Sequence, residues 1–260
     1  MPFAEVNGQR IRFEDSGGDG PPVILSHGFL MDREMFAPQV GALSPEFRVI
    51  TWDERGFGET EFDGEPFSYW DSARDCLSLL DHLGIEQAVL GGMSQGGFLS
   101  LRAALLAPQR VRALVLIDTQ SGVEDPERLP EYRQMQQTWL ELGPVDELAQ
   151  TIANLIIGDP VLNEVWIAKW RQLPRQSLKA PGDCLFDRDD ITDRVNEIEC
   201  PAIVFHGTAD QSIEIEKAEE LCQNLPGCTG VVRVEGGPHA SNLTHPEQVN
   251  GPLLEFLRSL

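Results

Sequence analysis

The chain has 260 residues, with 42 Asp and Glu against 20 Lys and Arg and a formal net charge of −22 at pH 7. Nucleic-acid binding needs a basic stripe that releases counterions from phosphate, so a twofold acidic excess with no Lys/Arg cluster argues against that class of partner and reads as a solvated, self-repelling surface. A hydrophobic share of 41 % is enough for a full core and rules out wholesale disorder.

The start, Met1-Pro2-Phe3-Ala4-Glu5, lacks a basic stretch followed by an apolar run, so no secretory leader is expected. The longest clearly apolar run, Ala113 to Ile117, is far shorter than a bilayer span, and no membrane partner is expected. The five cysteines (Cys76, Cys184, Cys200, Cys222, Cys228) are odd in number and form no Cys-x-x-Cys. They read as reduced, mostly buried thiols of a cytoplasmic protein rather than as a disulfide frame or zinc site.

Short apolar runs alternate with helical patterns along the chain, as in a parallel α/β sheet. Glu5 to Phe13 reads as a β-hairpin around Asn7-Gly8. Val23 to Ser26 is a buried strand ending at His27-Gly28, and Arg48 to Trp52 is the next, closed by Asp53-Glu54-Arg55-Gly56-Phe57-Gly58. Tyr69 to Leu83 has helical spacing (Ala73, Cys76, Leu77, Leu80, Leu83) and stops at Gly84. Ala88 to Leu90 is a strand, Phe98 to Leu106 a helix, and Ala113 to Ile117 and Ala202 to Phe205 two further strands. Lys217 to Leu225 is a helix, Gly230 to Val234 the last strand, and Pro246 to Leu260 the closing helix.

Residues 121–199 differ. They carry helical patterns at Tyr132–Leu142, Val145–Ile157 and Leu162–Leu173 and no convincing strand. The expected division is therefore a core domain, 1–120 with 200–260, and a helical cap, 121–199. Trp139, Trp166 and Trp170 within it are read first as packing the cap and second as lining a pocket.

The informative motif is Gly92-Met93-Ser94-Gln95-Gly96, entered by a strand and left by a helix. A nucleophile on so sharp a turn needs glycine two residues to either side, where a Cβ would collide. A serine hydroxyl needs a general base, usually histidine oriented by a carboxylate. Among five histidines, His239 is preferred because it lies in a loop after the last strand. At His27, backbone placement is expected to matter more than the ring, and His206 ends a strand and reads as structural. Asp210, in His206-Gly207-Thr208-Ala209-Asp210, is the preferred acid and Asp118 its rival. The oxyanion of a tetrahedral intermediate needs preorganised N–H donors. The backbone N–H of Gln95 and that of Phe29 are assigned to it, with Gly28 permitting the turn that aims Phe29 inward. No His-x-x-x-His or His-x-His occurs, and neither a metal nor an organic cofactor is expected.

On these marks (His27-Gly28, Asp53 to Gly58, the serine motif, His206 to Asp210, and Gly237-Pro238-His239) the sequence resembles an α/β-hydrolase with a helical cap over nearly its whole length. The resemblance implies an eight-stranded, mostly parallel sheet with helices on both faces, a Ser94–Asp210–His239 triad and an acyl-enzyme intermediate. Haloalkane dehalogenases and epoxide hydrolases of this fold use an Asp nucleophile, and carbon–carbon bond hydrolases typically carry Trp after the catalytic His, where this chain has Ala240. The tail, His239 to Leu243 with Pro246, Glu247, Asn250 and Leu253 to Phe256, is similar to 3-oxoadipate enol-lactonases, although those commonly have Met in place of Gln95. Their substrate is an anion, which makes Arg133, Arg171 and Arg175 of the cap candidate partners for it. The expected function is hydrolysis of a small carboxylic ester or lactone. Acyl transfer, perhydrolysis of the cofactor-free haloperoxidase type, carbon–carbon bond hydrolysis, and small-molecule reception without turnover are the alternatives.

Overall fold

The computed structural model describes residues 2–260. Its centre is one eight-stranded sheet: β1 (Phe3–Val6), β2 (Gln9–Asp15), β3 (Pro22–Ser26), β4 (Arg48–Trp52), β5 (Ala88–Met93), β6 (Val111–Ile117), β7 (Ala202–Gly207) and β8 (Cys228–Val234). The spatial order is β1-β2-β4-β3-β5-β6-β7-β8. The first two strands pair antiparallel, as does β2 with β4, and the remaining pairs are parallel. The hairpin forms where expected, with Asn7 (φ 46°) and Gly8 (φ 76°) both left-handed, the backbone that lets a two-residue turn follow the strand twist.

The apolar runs become strands buried on both faces. Alternate residues point to opposite layers. Ile24, Leu90, Leu114, Leu116 and Val204 join one core with Tyr69, Ala73, Leu79, Phe98 and Leu221, which come from α2 (Tyr69–His82), α3 (Gln95–Leu106) and α8 (Ile215–Asn224). Val23, Leu25, Val115, Ile117 and Phe205 join the other with Leu43, Val249 and Leu253, from α1 (Ala37–Leu43) and α10 (Pro246–Ser259). A short α9 (Ser241–Thr244) precedes α10.

Between β6 and β7 run α4 (Leu129–Leu142), α5 (Asp146–Ile156), α6 (Pro160–Trp170) and α7 (Lys179–Phe186). Trp139, Trp166 and Trp170 are all buried, and Trp139 meets Trp170 edge-on with ring centroids 6.1 Å apart. Trp170 Nε1 donates to the Leu30 carbonyl at 2.6 Å, and Lys169 Nζ bonds Asp32 Oδ2 and Glu34 Oε2, both at 2.7 Å. These contacts tie α6 to the loop after β3, so the tryptophans serve packing.

One expectation fails outright. Cys222 and Cys228 are joined in a disulfide that closes the turn between α8 and β8, leaving Cys76, Cys184 and Cys200 free. Leu225-Pro226-Gly227 reverses the chain and brings the two Cα atoms to 5.4 Å, inside the range a disulfide bridges. The thiol argument for a reducing compartment thereby loses its basis. Among the described residues no helix is long and apolar enough to cross a membrane.

Candidate active site

Register places the carboxyl ends of the central strands side by side: Ser26 opposite Gly92, Met93 opposite Ile117, and Ile117 opposite Phe205. Ligands of open α/β sheets bind at this edge. The loops leaving it carry Phe29, Ser94, Asp118, Asp210 and, after β8, His239.

Ser94 is the single residue between β5 and α3, at φ 51° and ψ −113°, a backbone that an L-residue adopts only when its surroundings force it. They do so here. A Cβ on Gly92 would overlap the backbone of Gly96, and one on Gly96 would overlap the Ser26 carbonyl. Ser94 N donates to Ile117 O at 2.9 Å, and Thr119 Oγ1 donates to Ser94 O at 2.8 Å. Gly92→Ala is expected to destabilise the fold by roughly 3 kcal/mol or to prevent soluble expression, because the clash is with backbone. Chemical denaturation measures it, and a wild-type midpoint would refute the packing argument.

Asp210 Oδ2 lies 2.8 Å from His239 Nδ1. An ionised carboxylate only accepts, so Nδ1 carries the proton and Nε2 keeps its lone pair. Ser94 and His239 line the same cavity. Asp210 Oδ1 accepts from Ser212 N (2.7 Å) and Ile213 N (3.1 Å). Burial disfavours the imidazolium of His239, but the Asp210 carboxylate and its hydrogen bond outweigh that and hold the pKa above the ordinary histidine value. Burial likewise pushes against ionised Asp210, and His239 reverses the balance, leaving the acid below its usual range.

Asp118 also ends a strand but faces elsewhere. Its Oδ1 accepts from Gly207 N (2.7 Å) and its Oδ2 from Ser241 N (3.0 Å) and Ser241 Oγ (2.6 Å), so it links the loops that hold Asp210 and His239. Burial and the like charge of Asp210 push it up to about 8. Asp118, His206 and Asp210 offer ligand atoms within 4.8 Å of one another, as a metal cluster would. Their hydrogen bonds run instead to backbone, Ser241 and His239.

The loop assigned to the oxyanion calls for one revision. Gln95 opens α3, so its N–H has no helical carbonyl behind it, and Phe29 N–H makes no hydrogen bond among the described residues. Gly28, however, is not the left-handed residue of that loop. Leu30 is (φ 60°), and a Cβ on Gly28 would strike the Met93 side chain at Sδ. The His27 ring also does more than expected: Nε2 accepts from Glu54 N at 2.9 Å and Nδ1 lies 2.8 Å from Gly28 O, bridging two loops. Sequence reasoning missed the buried chain behind the serine, in which Gln95 Nε2 donates to Glu54 Oε2 (3.2 Å) and Tyr69 Oη to Gln95 Oε1 (3.3 Å). Burial raises the Glu54 carboxyl well above its usual range.

Apolar side chains dominate the cavity wall, Met93, Met135, Ile152, Ile156, Leu178 and Phe186 among them, and among the described residues no Lys or Arg lines it. The three candidate arginines are engaged elsewhere: Arg133 with Asp183 and Asp187, Arg171 with Asp146, Arg175 with the Glu141 carbonyl. Glu124 does line the cavity, with its carboxylate paired to Arg188. An anionic substrate of the enol-lactonase kind finds no cationic partner on this wall.

Residues 21–246 match the model of the α/β hydrolase fold family, and the chain belongs to that family. It is 29 % identical to a non-heme chloroperoxidase of Streptomyces lividans, over 97 % of this chain and 98 % of that one. Among solved structures it is similar to a thermophilic esterase of Thermogutta terrifontis (TM-score 0.91, 28 % identity, covering 100 % and 99 % of the two chains). It is also similar to the enol-lactonase of Burkholderia xenovorans LB400 (TM-score 0.88, 26 % identity, 99 % and 100 %).

Proposed function

We propose that the protein is a serine hydrolase of small, uncharged carboxylic esters or lactones, with residues 121–199 as the lid over its site. The observation carrying this reading is a serine held in a strained strand-to-helix turn and a histidine hydrogen-bonded to a buried carboxylate, both lining one apolar cavity. Ser94 Oγ attacks the carbonyl carbon while His239 Nε2 takes its proton. The oxyanion is received by the N–H groups of Phe29 and Gln95, each such donor being worth on the order of 10²–10³ in rate. Collapse expels the alkoxide, which takes the proton from His239. Water, deprotonated by the same nitrogen, then releases the acid. No step calls for a metal or organic cofactor. Labelling with a fluorophosphonate probe and mapping the adduct by mass tests the reading: an adduct on Ser94 supports it, and one elsewhere, or none, overturns it.

The same intermediate could pass its acyl group to hydrogen peroxide, a second reading favoured by the 29 % identity to a chloroperoxidase. Peracid formation against acid formation at fixed peroxide separates the two.

A pH prediction follows from the Asp210 contact. His239 accepts a proton only when neutral, so kcat/KM is expected to rise with pH and to be lost as pH falls through the pKa of the His–Asp pair. Because that pKa is held above the ordinary value of about 6.5, the midpoint lies on its alkaline side. A flat profile from about pH 5 to about pH 9 would remove His239 from the base role.

A further inference from the structure

On the serine-hydrolase reading one oxyanion donor is the Phe29 N–H, and the turn that carries it reaches back to the cap. Gly28-Phe29-Leu30-Met31 is closed by Met31 N donating to Gly28 O at 3.0 Å, with Leu30 (φ 60°) left-handed at its third position. That is the pattern of a type II turn, in which glycine is the usual third residue. A leucine in that backbone is strained, so its surroundings must hold it there.

The group that holds it comes from the cap. Trp170 on α6 is 1 % exposed, and its Nε1 donates to Leu30 O at 2.6 Å. Leu30 O and the Met31 N–H are the two ends of one peptide group. That N–H donates to Gly28 O, and Gly28 O and the Phe29 N–H are the two ends of another. One line of hydrogen bonds therefore runs from the indole through two peptide groups to the Phe29 N–H, which itself makes no hydrogen bond among the described residues. A peptide oxygen that accepts makes the N–H at the other end a stronger donor, by about 10–30 % per bond, and fixes the plane in which it lies. His27 supplies a second donor to the same line. Its Nδ1 lies 2.8 Å from Gly28 O, which can only accept, and burial holds the ring below the ordinary histidine value and so neutral.

We propose, resting on the hydrolase reading of this site, that Trp170 is a positioning residue of the oxyanion hole. Its indole N–H acts through the two peptide groups, Leu30 to Met31 and Gly28 to Phe29, to hold the Phe29 N–H as a donor, so a residue of the cap completes the hole in the core. Lys169, its neighbour on the same helix, provides the contrast. It also ties α6 to this loop, but through the side chains of Asp32 and Glu34, both at 2.7 Å, which lie outside the line.

The probes are pentyl trifluoromethyl ketone and pentyl methyl ketone, as inhibitors of ester turnover. Ser94 Oγ adds to the carbonyl carbon of the first, its proton passes to His239 Nε2, and the carbonyl π pair becomes the negative charge on the hemiketal oxygen. The second binds without addition. In Trp170→Phe the preference for the first over the second is expected to fall by about 3- to 30-fold, short of the order of 10²–10³ that outright loss of a donor costs, because His27 still holds Gly28 O. Lys169→Met is expected to keep the parent's preference. A purely structural role of Trp170 would weaken both ketones together. An unchanged preference in Trp170→Phe, or an equal fall in Lys169→Met, overturns the proposal. Benzothienylalanine at position 170 keeps the bicyclic ring with sulfur in place of N–H, and makes the same comparison without a cavity where phenylalanine does not give folded protein. The line is also readable without turnover. In protein isotopically labelled at its phenylalanine amides, the Phe29 nitrogen resonance, assigned by its loss in Phe29→Leu, is expected to move upfield in Trp170→Phe and to stay in Lys169→Met. A resonance that stays in both, or moves alike in both, overturns the proposal. Absence of Ser94-dependent turnover, or of its inhibition by the trifluoromethyl ketone, would instead count against the hydrolase reading, and the Phe29 resonance would still decide whether Trp170 acts on Phe29.

Discussion

Ser94→Ala is expected to lower kcat on any responsive ester by about 10⁵- to 10⁶-fold, with the thermal midpoint almost unchanged. Removing the nucleophile removes the acyl-enzyme route, and what remains is the contribution of the oxyanion donors and of binding. Stability should hold because the Ser94 backbone bonds, from its N–H to Ile117 O and from Thr119 Oγ1 to its carbonyl, do not involve its side chain. The variant that separates function from strain is Ser94→Gly. At φ 51° and ψ −113° any Cβ is strained, so glycine should be equally inactive and more stable than the parent by on the order of 1 kcal/mol. Denaturation midpoints and ester rates on the three proteins check this. An active Ser94→Ala would move the chemistry elsewhere, and a Ser94→Gly no more stable than Ser94→Ala would mean that the turn stores no strain at this residue.

Much of this arrangement was legible in the residues, and what escaped did so for identifiable physical reasons. The strands announced themselves because a parallel sheet buries both faces, and Val-Ile-Leu runs such as Val23 to Leu25 or Val115 to Ile117 have few other uses. The serine motif was legible because its glycines answer to backbone contact, Gly92 within the motif and Gly96 against the end of the neighbouring strand β3. Helix α7 was invisible because Pro181 and Gly182 break its pattern. Yet Pro181 is its third residue, where a missing N–H has no helical partner to lose. Helix α1 hid behind Pro38 and Gly41 in the same way. The disulfide was missed because six residues of spacing say nothing about a turn that returns the chain on itself. The Glu54–Gln95–Tyr69 chain was out of reach for a different reason. Periodicity gives the face of an element, whereas the chain depends on which polar atom, 26 or 41 residues away, is left to meet which.

The two strand-end aspartates are the sharpest case, since their sequence settings are alike and their expected phenotypes are opposite. Asp210→Asn should cost about 10⁴ in kcat, because the amide cannot hold the Nδ1–H tautomer of His239 or stabilise the imidazolium formed when Ser94 is deprotonated. Without that carboxylate, the burial of His239 is no longer outweighed, so the pH midpoint of whatever activity remains should move to the acid side of the parent's. Asp118→Asn should keep most of kcat and lose stability. Its amide oxygen can still accept from Gly207 N, but its NH₂ then stands where Oδ2 accepts from Ser241 N, a donor against a donor, in a site with no exposure. That loss should amount to about 1–3 kcal/mol, the penalty for an unpaired buried donor. Urea midpoints and saturating ester rates on both variants are the measurement. If Asp118→Asn were the catalytic cripple and Asp210→Asn the merely unstable protein, the carboxylate acting on His239 would be the one after β6, and the hydrogen bond from His239 Nδ1 to Asp210 would not be the catalytic one.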